Sequence, residues 1–363
     1  MVENRMTHLL DMAETEGLDT VAFVPGPNLF YLTGRSFHLS ERPVMGLFPI
    51  DGSPAFVVPT LEAGKVQEFE VFSYTDDEGY ADAFRAACSA LDLAGDRIGV
   101  EALRMRLLES RLLERHAQDV SLVPADDLVA HLRMFKSAEE AAAMREAVDV
   151  AQQAFLAWLA ELHVGMTEKE AAARLVAALL SNGADDLAFA PIVASGPRGA
   201  LPHAVPGART FEPGDWVVVD WGAAVNGYRS DITRMLVFGT PSESLAMVQE
   251  TVRQANVAGR EAVKPGATTG QVDAAARAVI ADAGYGPEFM HRTGHGLGLE
   301  AHEPPYIASG GEQKLAPGMT FTVEPGIYLE GEAGFRVEDD VLVTTEGVET
   351  LTSLSREPFV LPV

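Results

Sequence analysis

Apolar residues recur every three or four positions in THLLDMAETEGL and then close up into the run VAFVP. That change of period predicts a helix followed by a strand. Short apolar runs and helical stretches go on alternating, through the strands VMGLFPI and PAFVVP, the helix ADAFRAACSALDLAG and the strand RIGVE. The Gly- and Pro-bounded segment PGPNLFYLTG reads as a turn. Together these elements predict a small α/β unit over residues 1–128. The stretch LVAHLRMFKSAEEAAAMREAVDVAQQAFLAWLAEL then reads as two helices, with Ser137 and Glu140 spaced as a capping box at the start of the longer one. A second domain is expected over residues 129–363.

That second part carries an internal echo. GMTEKEAAARLVAALLSNG (165–183) aligns with GATTGQVDAAARAVIADAG (266–284) at an offset of 101, and Gly165, Thr167, Ala173, Ala177 and Gly183 all recur. Each copy reads as a capped amphipathic helix closed by a glycine. PGDWVVVDWG (213–222) aligns with PGMTFTVEPG (317–326) at an offset of 104, which sets Asp220 on Glu324. The segment KPGATTG lacks the lysine and spacing of a phosphate-binding loop and reads as the cap of the second helix.

Beyond these strands the pattern becomes unusual. In VVVDWGAAVNGYRSDITRMLVFG two β-branched runs flank Asn226-Gly227, a strong hairpin signal, yet an aspartate interrupts each run. A two-residue turn pairs Val225 with Tyr228, sets Asp220 opposite Thr233 and Asp231 opposite Gly222, and leaves the two aspartates as diagonal neighbours on one face. The second copy behaves alike, its returning run FRVEDDVLVT being interrupted by Glu338. Read alone, the first hairpin also fits an edge strand with both aspartates in water. Four carboxylates on two duplicated hairpins favour a shared interior site.

Composition narrows the setting. With 47% hydrophobic and 22% charged residues in 363, no large disordered region is required. A net charge of -26 argues against nucleic acid and anionic membranes as partners. The single cysteine, Cys88, excludes an intrachain disulfide and a cysteine-based zinc site. No apolar run approaches the ~18 residues of a membrane span, and MVENRMTHLLDMAETEG lacks the apolar core of a signal peptide, so the cytoplasm is expected.

Four interior carboxylates repel one another, and two divalent cations would offset them. Between the hairpins lies HRTGHGLGLEAHEPP, which holds His291, His295 and His302 among Gly294, Gly296 and Gly298. The glycines favour a strand or loop that approaches a crowded centre closely, rather than a helix. One histidine with four carboxylates forms a hard, oxygen-rich donor set that suits manganese, with cobalt or zinc as alternatives and magnesium less suited. A pair of such ions ~3.5–4 Å apart is hydrolytic equipment. The plainer reading is a histidine cluster in a solvated loop.

The segments VDWGAAVNGYRSDITR, HRTGHGLGLEAHEPP, FTVEPGIY and FRVEDD resemble the metallopeptidase family of pita-bread fold, which includes methionine aminopeptidase, aminopeptidase P and prolidase. The resemblance implies an α/β (α+β) chain: a small N-terminal α/β domain, in which NLFYLTG looks familial, followed by a pita-bread catalytic domain with an internal pseudo-twofold repeat. It implies two divalent metal ions held by Asp220, Asp231, His295, Glu324 and Glu338. Within the family the Xaa-Pro-cleaving branch looks closest, with proline-containing peptides or dipeptides as substrates, Glu324 as the proton shuttle, and a homodimer. His203 in GALPHAVPG matches a histidine near the substrate; His291 and His302 match two that contact substrate or stabilise the intermediate. Arg336 resembles the arginine beside the site, although it also fits a salt bridge to one of the acids. Thr233 and Thr322 share strand faces with the acids and are placed to orient them. His203 also fits an ordinary loop histidine, and His38 and His116 read as surface residues. Two other readings stay open: a hydrolase or lyase of a small non-peptide substrate on the same fold, and a non-catalytic binding protein on a peptidase scaffold.

Overall fold

A computed structural model describes residues 2–363, and the chain divides after Arg133 into two units, each with its own core. The division falls at the end of helix Asp126–Met134 rather than at residue 128, inside it. The end of that helix is tied to the first unit: Leu132 O accepts from the Tyr31 hydroxyl at 3.2 Å, and Arg133 donates to Asn28 Oδ1 at 2.6 Å.

The first unit is built on a mixed sheet in the order Glu70–Tyr74, Ala55–Pro59, Met45–Pro49, Thr20–Phe23, Arg97–Val100, Ser121–Pro124. Its two outermost strands escaped the sequence reading because they lie at the edges, are largely exposed or half-buried, and so carry no continuous apolar run. The segment read as a turn is instead helix Pro27–Thr33. Its breakers sit at its two ends, Pro27 opening the helix and Gly34 closing it in the left-handed region at φ 67°.

In the second unit the long helix Ala138–Leu159 starts from the capping box of Ser137 and Glu140. The two repeat helices, Glu168–Ser181 and Thr269–Asp282, each open on a capping box, Thr167 with Glu170 and Thr268 with Gln271. Gly183 and Gly284 follow them at φ 105° and 91°, the conformation that stops a helix. Each half then supplies three antiparallel strands in the same order. Ile192–Ser195 pairs with Trp216–Trp221, which pairs with Ile232–Phe238. Gly294–Gly296 pairs with Thr320–Val323, which pairs with Asp339–Val343.

The first hairpin keeps its expected register, with Val225 opposite Tyr228 and Thr233 opposite Asp220. The second differs. Val323 faces Asp339, so Glu324 and Glu338, one residue further on, stand directly opposite rather than diagonal. The hairpins join where Glu338 N donates to Thr233 O at 3.2 Å. Among the described residues no helix is long and apolar enough to cross a membrane.

Close approach at Gly222 allows this arrangement: a Cβ there would lie 1.9 Å from Ser230 O and 2.7 Å from the Ala188 side chain. Substituting Gly222→Ala is expected to cost about 3 kcal/mol, since neither the backbone nor the buried alanine can yield. Chemical denaturation checks this; an unchanged midpoint would show that the ladder has slack beside Asp231.

Candidate metal centre

Strand periodicity explains how acids reach the interior. Trp216, Val218 and Asp220 share one face, on which the first two pack in an apolar core and the third emerges at the strand's end. Asp231 stands just before Ile232–Phe238, Glu324 just after Thr320–Val323, and Glu338 just before Asp339–Val343. His295 is the middle residue of Gly294–Gly296. Gly294 leaves room for it, since a Cβ there would meet Thr322 O at 1.8 Å.

Donor atoms of Asp220, Asp231 and Glu338 all lie within 4.8 Å of one another, as do those of His295, Glu324 and Glu338. A third such group joins Asp231, His295 and His302, and the first two share Glu338, so the four carboxylates and His295 form one connected set of donors. Asp231 is 4% exposed and Glu338 1%, so water screens neither. Burial, with repulsion from Glu338 and Asp220, raises the Asp231 carboxyl well above the usual range. Burial, with Glu324 and Asp220, does the same to Glu338. Glu324 goes the other way, to about 2, because the hydrogen bond and charge of His295 outweigh its burial. Asp220 is raised by burial despite Arg336 Nη2 at 2.6 Å from its Oδ2, and its buried Oδ1 has no hydrogen-bond partner. A buried carboxylate oxygen without a donor is costly, and the oxygen-rich donor set around it fits a divalent cation that would satisfy it.

Neighbouring groups aim the donors. Thr233 Oγ1 donates to Glu338 Oε2 at 2.6 Å, and Thr322 Oγ1 to Glu324 Oε1 at 3.2 Å. Asp231 N donates to Asp340 Oδ2 at 3.0 Å. His295 Nδ1 lies 3.2 Å from Gly296 O, which turns Nε2 toward Glu324 at 3.2 Å and Asp231 at 3.6 Å.

Three further histidines gather on the open side. His302 is exposed, with its ring centroid 3.9 Å from that of His295. Burial of its ring atoms, then the charges of His295 and Arg292, push its pKa down to about 4. His291 is half-buried and also lowered, chiefly by burial, and its Nε2 meets the Tyr328 hydroxyl at 2.9 Å. His203 is exposed and close enough for its charge to act on both. Arg336 is only 3% exposed, and its donors go to Asp220, Thr233 Oγ1 at 3.0 Å, the Tyr328 hydroxyl at 2.8 Å and Pro202 O at 3.3 Å. Of the two roles open to it, the salt bridge to an acid is present, with Asp220 as the partner. His38 is exposed as expected, but His116 is half-buried with a buried Nε2 that finds no hydrogen-bond partner, which corrects its reading as a surface residue.

No local pattern in the sequence marks Tyr328 or Asp340. Tyr328 sits in the motif FTVEPGIY but reads there as an apolar strand residue, and Asp340 is the last acid of VEDD, where only Glu338 interrupts the pattern.

Residues 142–345 match metallopeptidase family M24, and residues 5–135 match the Creatinase/Prolidase N-terminal domain. The Xaa-Pro dipeptidase of Pyrococcus furiosus is 34% identical over 359 residues, covering 98% of this chain and 99% of the relative. A probable dipeptidase of Mycobacterium tuberculosis is 37% identical over 358 residues, covering 96% and 93%. The crystal structure of a prolidase from Thermococcus sibiricus superposes with a TM-score of 0.96 at 35% identity, over 99% of each chain.

The electrostatics yield a pH-dependent outcome. Asp231, Glu338 and Asp340 have raised pKa values in the folded metal-free chain. Their protonated forms therefore favour folding, and that stability is lost as pH rises above the ordinary carboxylate range. A divalent cation held by the cluster replaces the protons of Asp231 and Glu338, so its stabilisation should grow with pH, reaching about 2.7 kcal/mol at a hundredfold excess over Kd. Thermal melts with manganese and with chelator at pH 5.5 and 7.5 check this; an equal or larger increment at the lower pH contradicts the assignment.

Proposed function

This chain belongs to metallopeptidase family M24, and from that premise we propose that it hydrolyses the peptide bond between an N-terminal residue and proline, in dipeptides or at the start of longer peptides. The observation that carries this reading is the convergence of Asp220, Asp231, His295, Glu324 and Glu338 on one buried centre with an unsatisfied carboxylate oxygen. The named activity of full-length relatives supports the proline-directed substrate, a dipeptide before a longer peptide.

In this reading those five residues hold two divalent cations, and the oxygen-rich donor set favours manganese over cobalt or zinc. When bound, such a pair supplies a nucleophilic water at neutral pH and a Lewis acid for the scissile carbonyl. Glu324, held ionised, takes a proton from the attacking water and returns it to the proline nitrogen. His302, whose pKa is lowered, stays neutral near pH 7 and can donate a hydrogen bond to the oxyanion or the peptide backbone. Neutral His291 instead commits its one N–H, on Nδ1, to Arg292 O at 2.7 Å and accepts from the Tyr328 hydroxyl at Nε2, so it contributes by fixing that hydroxyl beside Arg336. His203 faces the same space and is assigned to the substrate side. Arg336 holds Asp220 in place against the repulsion of its neighbours and, through Tyr328, reaches His291. A homodimer completes the proposal on family grounds.

Replacing Asp231 or His295 by alanine should cut turnover of an Xaa-Pro dipeptide by at least about a thousandfold, with a cooperative thermal transition retained. Metal analysis of the wild-type protein should return two divalent ions per chain. Undiminished turnover in either variant would overturn the assignment. Metal binding with no Xaa-Pro cleavage would leave a different hydrolytic substrate or a binding role.

A further inference from the structure

Two buried acids outside the centre remain unexplained by the chemistry above. Glu168 begins helix Glu168–Ser181 and is 0% exposed. Its Oε1 accepts from Ser195 N and Oγ, each at 2.8 Å, and its Oε2 from Arg198 Nε at 2.9 Å and Gly207 N at 3.0 Å. Arg198 in turn donates from Nη2 to Val205 O at 2.6 Å. Glu168 therefore pins both ends of the loop 196–207, and that loop carries His203. From the inner side, Pro202 O accepts from Arg336.

Asp273, 1% exposed in the equivalent helix Thr269–Asp282, does the matching thing in the other half. Its Oδ1 accepts from Thr293 Oγ1 at 2.8 Å, and both its oxygens pair with Arg277 at 2.9 Å. Arg277 donates to Phe289 O at 3.0 Å and His291 O at 2.9 Å, and its guanidinium lies 4.1 Å from the Phe289 ring centroid. The Phe289 ring meets His291 edge-on at 5.2 Å. The two acids occupy non-equivalent positions on equivalent helices, so this pairing is not a simple relic of the repeat. In each half a buried carboxylate orients an arginine, and the arginine grips the backbone of a histidine-bearing segment.

We propose that Glu168 and Asp273 are positioning residues for the reaction, Glu168 acting through Arg198 on His203 and Asp273 acting through Arg277 on His291. Both histidines sit beside the centre, where sub-ångström placement decides catalysis, and each is carried by a segment whose backbone an arginine holds. A purely structural role would instead stabilise each half without favouring either histidine.

The proposal rests on the Xaa-Pro reading for its kinetic arm only. In the manganese-loaded protein, Glu168→Gln and Asp273→Asn should each lower kcat/KM for an Xaa-Pro dipeptide about ten- to a hundredfold. Adding Glu168→Gln to His203→Ala should cost nothing more, as should adding Asp273→Asn to His291→Ala, whereas Glu168→Gln combined with His291→Ala should multiply. If every pair multiplies, the acids do not act through their histidines and the proposal fails. The second arm needs no turnover. In protein labelled with ¹³C-histidine, Glu168→Gln should move the ring signals of His203 and not His291, and Asp273→Asn the reverse; shifts in neither or both in each variant overturn it. Where a carboxylate variant does not fold, Arg198→Gln and Arg277→Gln, at half-exposed side chains, take its place in both arms. Selective ring shifts in a protein that cleaves no Xaa-Pro peptide would sink the substrate reading and keep this one.

Discussion

Repulsion among four carboxylates packed into a space water barely reaches sets the terms for the rest of the catalytic unit. Asp220, Asp231, Glu324 and Glu338 lie within a few ångströms of one another or of a shared neighbour, and in a low-dielectric interior like charges so close raise each other's energy steeply. Burial and mutual repulsion push the Asp231 and Glu338 carboxyls toward holding protons. His295, lodged against Glu324, is the closest approach to a counter-charge the protein itself offers at that end, and Arg336 plays the same part for Asp220. Neither meets the needs of the whole cluster. A site that stays electrostatically incomplete by itself is one shaped around ions that arrive from solution.

The surrounding structure keeps the acids from moving apart. Arg234, wholly buried, donates to the carbonyls of Thr233 at 2.9 Å and Glu338 at 2.6 Å and pairs with Asp339 at 2.8 Å. One guanidinium thus ties together the return strands of the two hairpins beside the acid cluster. Buried ion pairs of this kind add little net stability over an apolar replacement, but losing one partner leaves an uncompensated charge and is costly. Close backbone approaches at Gly222 and Gly294 serve the same end, since any side chain there would force the ladders apart.

Duplication supplied the frame, and departures from it supplied the chemistry. The two halves share capped helices, strand order and antiparallel pairing, yet their acids meet differently, diagonal in the first hairpin and directly opposed in the second. Ala194 occupies the strand position of the first half that matches His295 in the second. The imidazole therefore enters from one half only, which makes the donor set of the cluster asymmetric although the frame around it is duplicated.

Much of this was legible in the linear chain because it rests on local rules. Capping boxes, the Asn226-Gly227 turn, the alternation that puts Asp220 and Asp231 on one face, and the echo between halves all depend on residues near one another or on a fixed offset. What the chain alone could not convey depends on contacts between distant segments. The edge strands Glu70–Tyr74 and Ser121–Pro124 become strands only because neighbours pair with them. Arg336 turns to Asp220 and Tyr328, 116 and 8 positions away, rather than outward, and Glu168 reaches loop residues up to 39 positions on. Sequence pattern determined which residues would be acidic and inward-facing; only the folded chain, by bringing remote backbones within hydrogen-bond distance, decided which partner each one has, because such pairings leave no periodic trace along the polypeptide.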